Sequence, residues 1–163
     1  MVSEIETASK PMSDPNPETG NKSIVDELYT ALAEGDRNTI GKLLTDDLEW
    51  WFHGPPRCEH MMRMLTGDSN TTTKFRFVPR SIEVIGECVI VEGWEGAEAY
   101  WVHVWIVKDG RITEFREYFN TWLTIEDVKP TSSCRVRNKN HTLWQSNPRD
   151  LFTRSLPTLL LAI

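Results

Sequence analysis

An α+β fold, with three helices packed as a layer on an antiparallel sheet, is predicted by three features of this sequence. Apolar residues recur at helical spacing over the first third of the chain. Four runs with strand-like alternation follow, and an Asp-Gly turn joins the last two of them. Helices first and a strand meander afterwards form two layers that cover one another's apolar faces.

The hairpin from Tyr100 to Trp122 is the plainest element. Tyr100, Val102, Val104 and Ile106 fall on one side of its first strand, with Trp101, His103 and Trp105 on the other. Lys108-Asp109-Gly110-Arg111 supplies the turn, since Asp-Gly tolerates the positive φ that a tight hairpin requires. The return strand alternates Ile112, Glu114, Arg116, Tyr118 and Asn120 with Thr113, Phe115, Glu117 and Phe119. Both faces carry bulky side chains, so both are expected to be covered, and Arg116, Tyr118 and Asn120 are expected to line a polar-bottomed cavity.

The other elements follow in order. Residues 1–22 are polar, contain proline and lack periodicity, and are expected to form a disordered tail. Ser23 reads as an N-cap with Asp26 three residues on. Ile24, Val25, Leu28, Ala31 and Leu32 then give a helical face that Gly35 ends. Asp36 caps a second helix burying Ile40, Leu43 and Leu44. Asp47–His53 is a short strand stopped by Gly54-Pro55-Pro56, and Glu59–Thr66 a third helix closed by Gly67. Strands are expected over 74–84, 87–94, 98–108 and 111–123. The domain thus spans 23–128, and residues 129–163 form a basic extension that docks on it or on a dimer mate.

At 163 residues, 39% hydrophobic and 26% charged, the chain is long enough for one domain with a substantial core. Net charge is −6, divided as −11 over residues 1–128 and +5 over 129–163. An acidic body argues against nucleic acid as a partner. Three cysteines, Cys58, Cys88 and Cys134, show no CxxC spacing, which argues against a disulfide framework or a Cys-rich zinc site. No apolar stretch reaches the ~20 residues of a membrane span, and no secretory signal is evident. A cytoplasmic location is expected, with the nucleus as the alternative, and no membrane partner.

Helix–helix–strand–helix followed by a four-strand meander ending in DGRITEFREYFNT resembles the SnoaL-like branch of the nuclear-transport-factor-like superfamily. Within it, LEWWFHGPP (48–56), MMRMLTG (61–67), YFNTW (118–122), WQS (144–146) and SLPTLLLAI (155–163) are similar to the plant wound-induced protein family. The resemblance covers residues 23–163. It implies a curved sheet wrapped on three helices, a pocket at the open end of the cone, a homodimer formed through the sheet, and a plant protein of wounding, senescence or stress. In SnoaL-like cyclases the final strand commonly ends Tyr-Phe-Asp, the Asp being the acid/base. Here the segment is Tyr118-Phe119-Asn120, and an amide has no proton affinity useful for base catalysis.

Candidate catalytic residues are therefore His53 and His103, because imidazole titrates near neutrality. The alternative for His103 is a hydrogen-bonded place in an aromatic layer, and for His53 simple packing. Glu49, Glu92, Glu114 and Glu117 are further carboxylates, equally readable as cross-strand ion pairs or a solvated face. His53 and His60 with Glu59 match no metal-ligand spacing, so neither metal nor cofactor is expected. Trp50, Trp101, Trp105 and Met62 suggest an apolar lining that also reads as plain core. Together with His53, His103, Arg116, Tyr118 and Asn120 they make a candidate pocket for a hydrophobic small molecule. The alternatives are a cofactor-independent cyclase, isomerase or dehydratase, and a homodimeric interaction module with a vestigial pocket.

Overall fold

The computed structural model describes residues 16–67, 75–95, 99–119, 143–146 and 160–162. Expectations that concern residues 1–15, the loop 68–73, the turn at Gly96, Asn120, the strand end at Leu123, Cys134 and the basic stretch 132–140 lie outside them.

Helix α1 spans Pro17–Glu34, starting seven residues before Ile24. The signal is local: Asn16 accepts a hydrogen bond from the Glu18 amide, Pro17 stands where its missing N–H is harmless, and Glu18 complements the helix dipole. Residues 17–22, read as tail from the sequence, are thus helical. Gly35 ends the helix at φ 72°, in the left-handed region. Asp36 then caps α2 (Arg37–Leu43), accepting from the amides of Asn38 and Thr39 at 3.1 Å each. Leu44, expected on the buried face of α2, instead begins β1 (Leu44–His53). Helix α3 (His60–Thr66) closes at Gly67. Among the described residues no helix is long and apolar enough to cross a membrane.

Strands β2 (Pro79–Ile85), β3 (Cys88–Glu95), β4 (Ala99–Lys108) and β5 (Arg111–Phe119) form the expected antiparallel meander. Asp109 at φ 50° and Gly110 at φ 76° make the tight turn between β4 and β5. The sheet is mixed, however, because β1 adds parallel to β5 in the order β1-β5-β4-β3-β2. The helical segment between β1 and the meander lets the chain cross over, which is what a parallel pairing demands. A short antiparallel ribbon, β6 (Leu143–Gln145) with β7 (Leu160–Ala162), completes the described elements.

The two faces of the sheet have different covers. The face carrying Trp101, Trp105, Phe115 and Phe119 packs with Val25, Leu28, Tyr29 and Leu32 of α1, Ile40 and Leu43 of α2, and Met61 of α3. The opposite face, with Ile90, Tyr100, Val102, Val104 and Tyr118, packs against Trp144 and Leu161 of the ribbon. Trp144 Nε1 donates to Glu83 at 2.9 Å and fixes the ribbon there. Part of the C-terminal extension therefore lies on this chain's own sheet.

A register shift beside Val107 pairs Ile106 with Glu114 and Val107 with Ile112, so Thr113 is an extra residue. It turns Ile112 to the helix side, whereas simple alternation groups it with Glu114 and Arg116. Gly93 matters to this face for a different reason. It lies opposite Trp101, and any β-carbon there would overlap the indole and the Val78 carbonyl, so only glycine lets Trp101 lie down on the sheet.

Candidate functional site

Three polar side chains lie buried in the aromatic layer between α1 and the sheet. Tyr29 comes from α1, four residues after Val25 and so on the same buried stripe. His103 and Glu117 face one another across β4 and β5, on the helix side between Trp101, Trp105, Phe115 and Phe119. His103 and Glu117 are both 0% exposed.

Their hydrogen bonds set the protons. Trp105 Nε1 can only donate, and it does so to the Tyr29 hydroxyl oxygen at 3.1 Å. The Tyr29 hydroxyl lies 2.6 Å from His103 Nδ1, and donating there gives its hydrogen an acceptor once its oxygen has accepted from Trp105. With Nδ1 the acceptor, the neutral imidazole carries its proton on Nε2. That atom is 3.7 Å from Glu117 Oε1, too far for a hydrogen bond. Among the described residues neither Glu117 oxygen, nor His103 Nε2, nor Trp101 Nε1 has a hydrogen-bond partner. The rings enclosing them are close: Trp101 stacks on His103 at 4.5 Å, Phe77 tilts against His103 at 4.7 Å, and Phe115 stacks on Trp105 at 4.0 Å.

Burial lowers the His103 pKa, and the Glu117 carboxylate opposes that only in part, so the ring is neutral at physiological pH. Burial likewise pushes the Tyr29 hydroxyl well above its ordinary range, keeping it a donor. His53 and His60 are also lowered, chiefly by burial. Burial pushes the Cys88 thiol up to about 11, so it is no poised nucleophile at neutral pH.

A stability dependence follows. A histidine whose folded pKa is depressed takes up its proton more readily when unfolded, so acid favours unfolding. The stability this gives is present above the unfolded value near 6.5 and is lost as pH falls below it, with a slope of up to about 1.4 kcal/mol per pH unit from each histidine. Urea unfolding at pH 7.5 and 5.5 is expected to show this decline, and a His103→Gln variant to show less of it. An equal decline in that variant would remove His103 from the cause.

A groove of about 740 Å³ runs along the surface between α1 and β2. Tyr29 and Phe77 line it together with Asp26, Thr30, Ala33 and Arg80. These two rings also contact His103, so they stand between the groove and the buried pair. On its other side Glu117 acts electrostatically on Cys58 and His60, at the start of α3.

The eight candidate pocket residues that the structure describes do not converge. Trp101, His103 and Trp105 lie in the buried layer, and Met62 packs against it from α3. Trp50 shares the side of Phe115, but at the sheet edge, where it is 36% exposed. Arg116 and Tyr118 are on the opposite face and cannot share a cavity with His103, because successive residues of β5 alternate sides. His53 is on that face too, stacked on Tyr118 at 5.1 Å. Arg116 is held by Glu114 at 2.6 Å. Asn120 lies outside the described residues. Sequence reasoning passed over Tyr29 and Phe77, and left Glu117 as one carboxylate among four. A tyrosine within the Val25/Leu28/Leu32 stripe was the available signal, since a hydroxyl on an apolar face needs a partner. Among the described residues no three His, Cys, Asp or Glu side chains gather as metal ligands.

Comparison with known proteins agrees with this architecture. The chain matches the Wound-induced protein WI12 family over residues 62–163. It belongs to that family. This WI12 protein is 35% identical over 105 residues to Wound-induced protein 1 of Solanum tuberosum, a match covering 63% of the chain and all of the relative. It is 37% identical over 110 residues to Senescence associated gene 20 of Arabidopsis thaliana, with the same coverage of each. Among solved structures, Bal32a from a soil-derived mobile gene cassette is similar at a TM-score of 0.52 and 22% identity, covering 64% of the WI12 chain and 92% of Bal32a. An NTF2-like protein from Burkholderia xenovorans is similar at 0.49 and 22%, covering 63% and 90%. The α+β cone expected from the sequence is the fold observed.

Proposed function

We propose that this WI12 protein binds a small, largely apolar, ring-bearing molecule, taken up from the α1–β2 groove and seated against the layer of Trp101, His103 and Phe115. The observation that carries this reading is Glu117, a carboxyl group fully buried among rings with neither oxygen hydrogen-bonded among the described residues. Such a group costs the fold several kcal/mol unless something offsets it, so its place is understandable when a ligand supplies the missing donor. Wound- and senescence-associated relatives support a role in the same plant responses.

The groove gives a test that leaves the core alone. Ala33 is exposed on α1 and lines the groove. Ala33→Trp would fill it from the surface and leave the Tyr29 and His103 side chains themselves unchanged. Titration with 2-naphthol, followed by quenching of tryptophan fluorescence, is expected to saturate for the wild type and to weaken at least about tenfold in the variant. Saturation unchanged in Ala33→Trp would show that the groove is not the route.

The hydrogen-bonded Tyr29–His103 pair facing Glu117 also favours a second reading, acid–base turnover of the bound molecule without a cofactor. Recovering the ligand after incubation separates the two. Unchanged ligand supports binding alone, and a change in its mass or isomeric form supports catalysis.

A further inference from the structure

The unpartnered groups define which molecules the site accepts. Glu117 offers two buried carboxyl oxygens, neither with a hydrogen-bond partner among the described residues. Beside it, the neutral His103 presents Nε2–H at 3.7 Å from Oε1, already committed in direction by the Tyr29–Nδ1 bond. No Lys or Arg is among the buried residues around them. A ligand carboxylate or phosphate would bring its charge into a medium that screens poorly, with no buried cation to balance it. A purely apolar ring would leave the carboxylate as it is. A hydroxyl, by contrast, gives Glu117 its donor and offers its own oxygen to the His103 Nε2–H.

The geometry points to neutral, ring-bearing alcohols or phenols as the ligand class, held by donation of their hydroxyl to Glu117, with carboxylic acids of the same skeleton excluded. This rests on the binding reading above and adds the polarity of the ligand to it. Trp101 Nε1, a second buried donor without a partner, extends the pattern: an acceptor oxygen elsewhere on the ring system would satisfy it.

Three probes with one ring skeleton test the idea: naphthalene, 2-naphthol and 2-naphthoate, titrated against the full-length protein by fluorescence or calorimetry at pH 7.5. Satisfying a buried polar group that otherwise lacks a partner predicts that 2-naphthol binds roughly 10–100-fold more tightly than naphthalene. The 2-naphthoate anion is expected to bind at least tenfold more weakly than naphthalene. In Glu117→Gln, an amide of the same size, both differences are expected to shrink to within a few-fold. Equal binding of naphthalene and 2-naphthol overturns the inference and leaves an apolar pocket. Preference for 2-naphthoate overturns it as well, by showing that the site receives anions. Binding of none of the three overturns this inference and the binding reading together. The wild-type series decides even if Glu117→Gln folds poorly, and a persisting alcohol preference in a well-folded Glu117→Gln removes Glu117 as its source.

Discussion

Replacing Glu117 by methionine is expected to raise the stability of the fold by about 1–2 kcal/mol while erasing the preference for hydroxyl ligands. The side chain is wholly buried and makes no hydrogen bond, and its neighbour His103 is held neutral, so no ion pair is lost with it. Methionine has similar length, adapts to irregular space, and brings no charge into the Phe115/Phe119 layer. Stabilisation on its removal would mean that Glu117 serves something other than the stability of the fold. Urea unfolding with parallel 2-naphthol titration reads both effects. Destabilisation by more than about 1 kcal/mol would mean that Glu117 holds the fold together, and would take away the main support for a ligand site.

Tyr29→Phe is expected to act in the opposite direction. The ring and its stack on Trp101 at 6.1 Å remain, but the hydroxyl that accepts from Trp105 and donates to His103 is gone. One donor and one acceptor are left buried and unpaired, at about 1–2 kcal/mol each, so a loss of about 2–4 kcal/mol is expected. For a domain of this size that corresponds to a fall in Tm of roughly 5–15 °C, measurable by circular dichroism. The His103 ring is also released to rotate, so 2-naphthol binding is expected to weaken. A change below about 0.5 kcal/mol would show that the Tyr29 hydroxyl is not the link that holds His103.

The sequence made local features legible, and the reason is backbone geometry. Gly35 followed by Asp36, and Asp109 followed by Gly110, state their own φ angles and caps, and the structure places a helix end and a hairpin turn there. The Asn16-Pro17 start of α1 was equally local; it was outweighed by the polar composition around it. What could not be read was anything set by distant partners. The parallel pairing of β1 depends on residues 112–118, far along the chain. The choice of face on β5 depends on the extra Thr113 and on which layer each side meets. That choice decided which side chains meet the rings: Arg116 and Tyr118 face the ribbon side, and Glu117, one position away, faces the aromatic layer.

The parallel edge strand also has a consequence for how the chain comes together. Thr45 bonds to the Ile112 carbonyl across 67 positions, so the first strand has no ladder to join until the last strand of the meander exists. On a ribosome, the segment bearing Trp50 and Trp51 would emerge long before its docking partner and wait with both indoles in water. Long-range closure of this kind slows folding and lengthens exposure to wrong partners. The final, rate-setting event for this protein is therefore expected to be the capture of residues 44–53 by an already assembled four-strand meander.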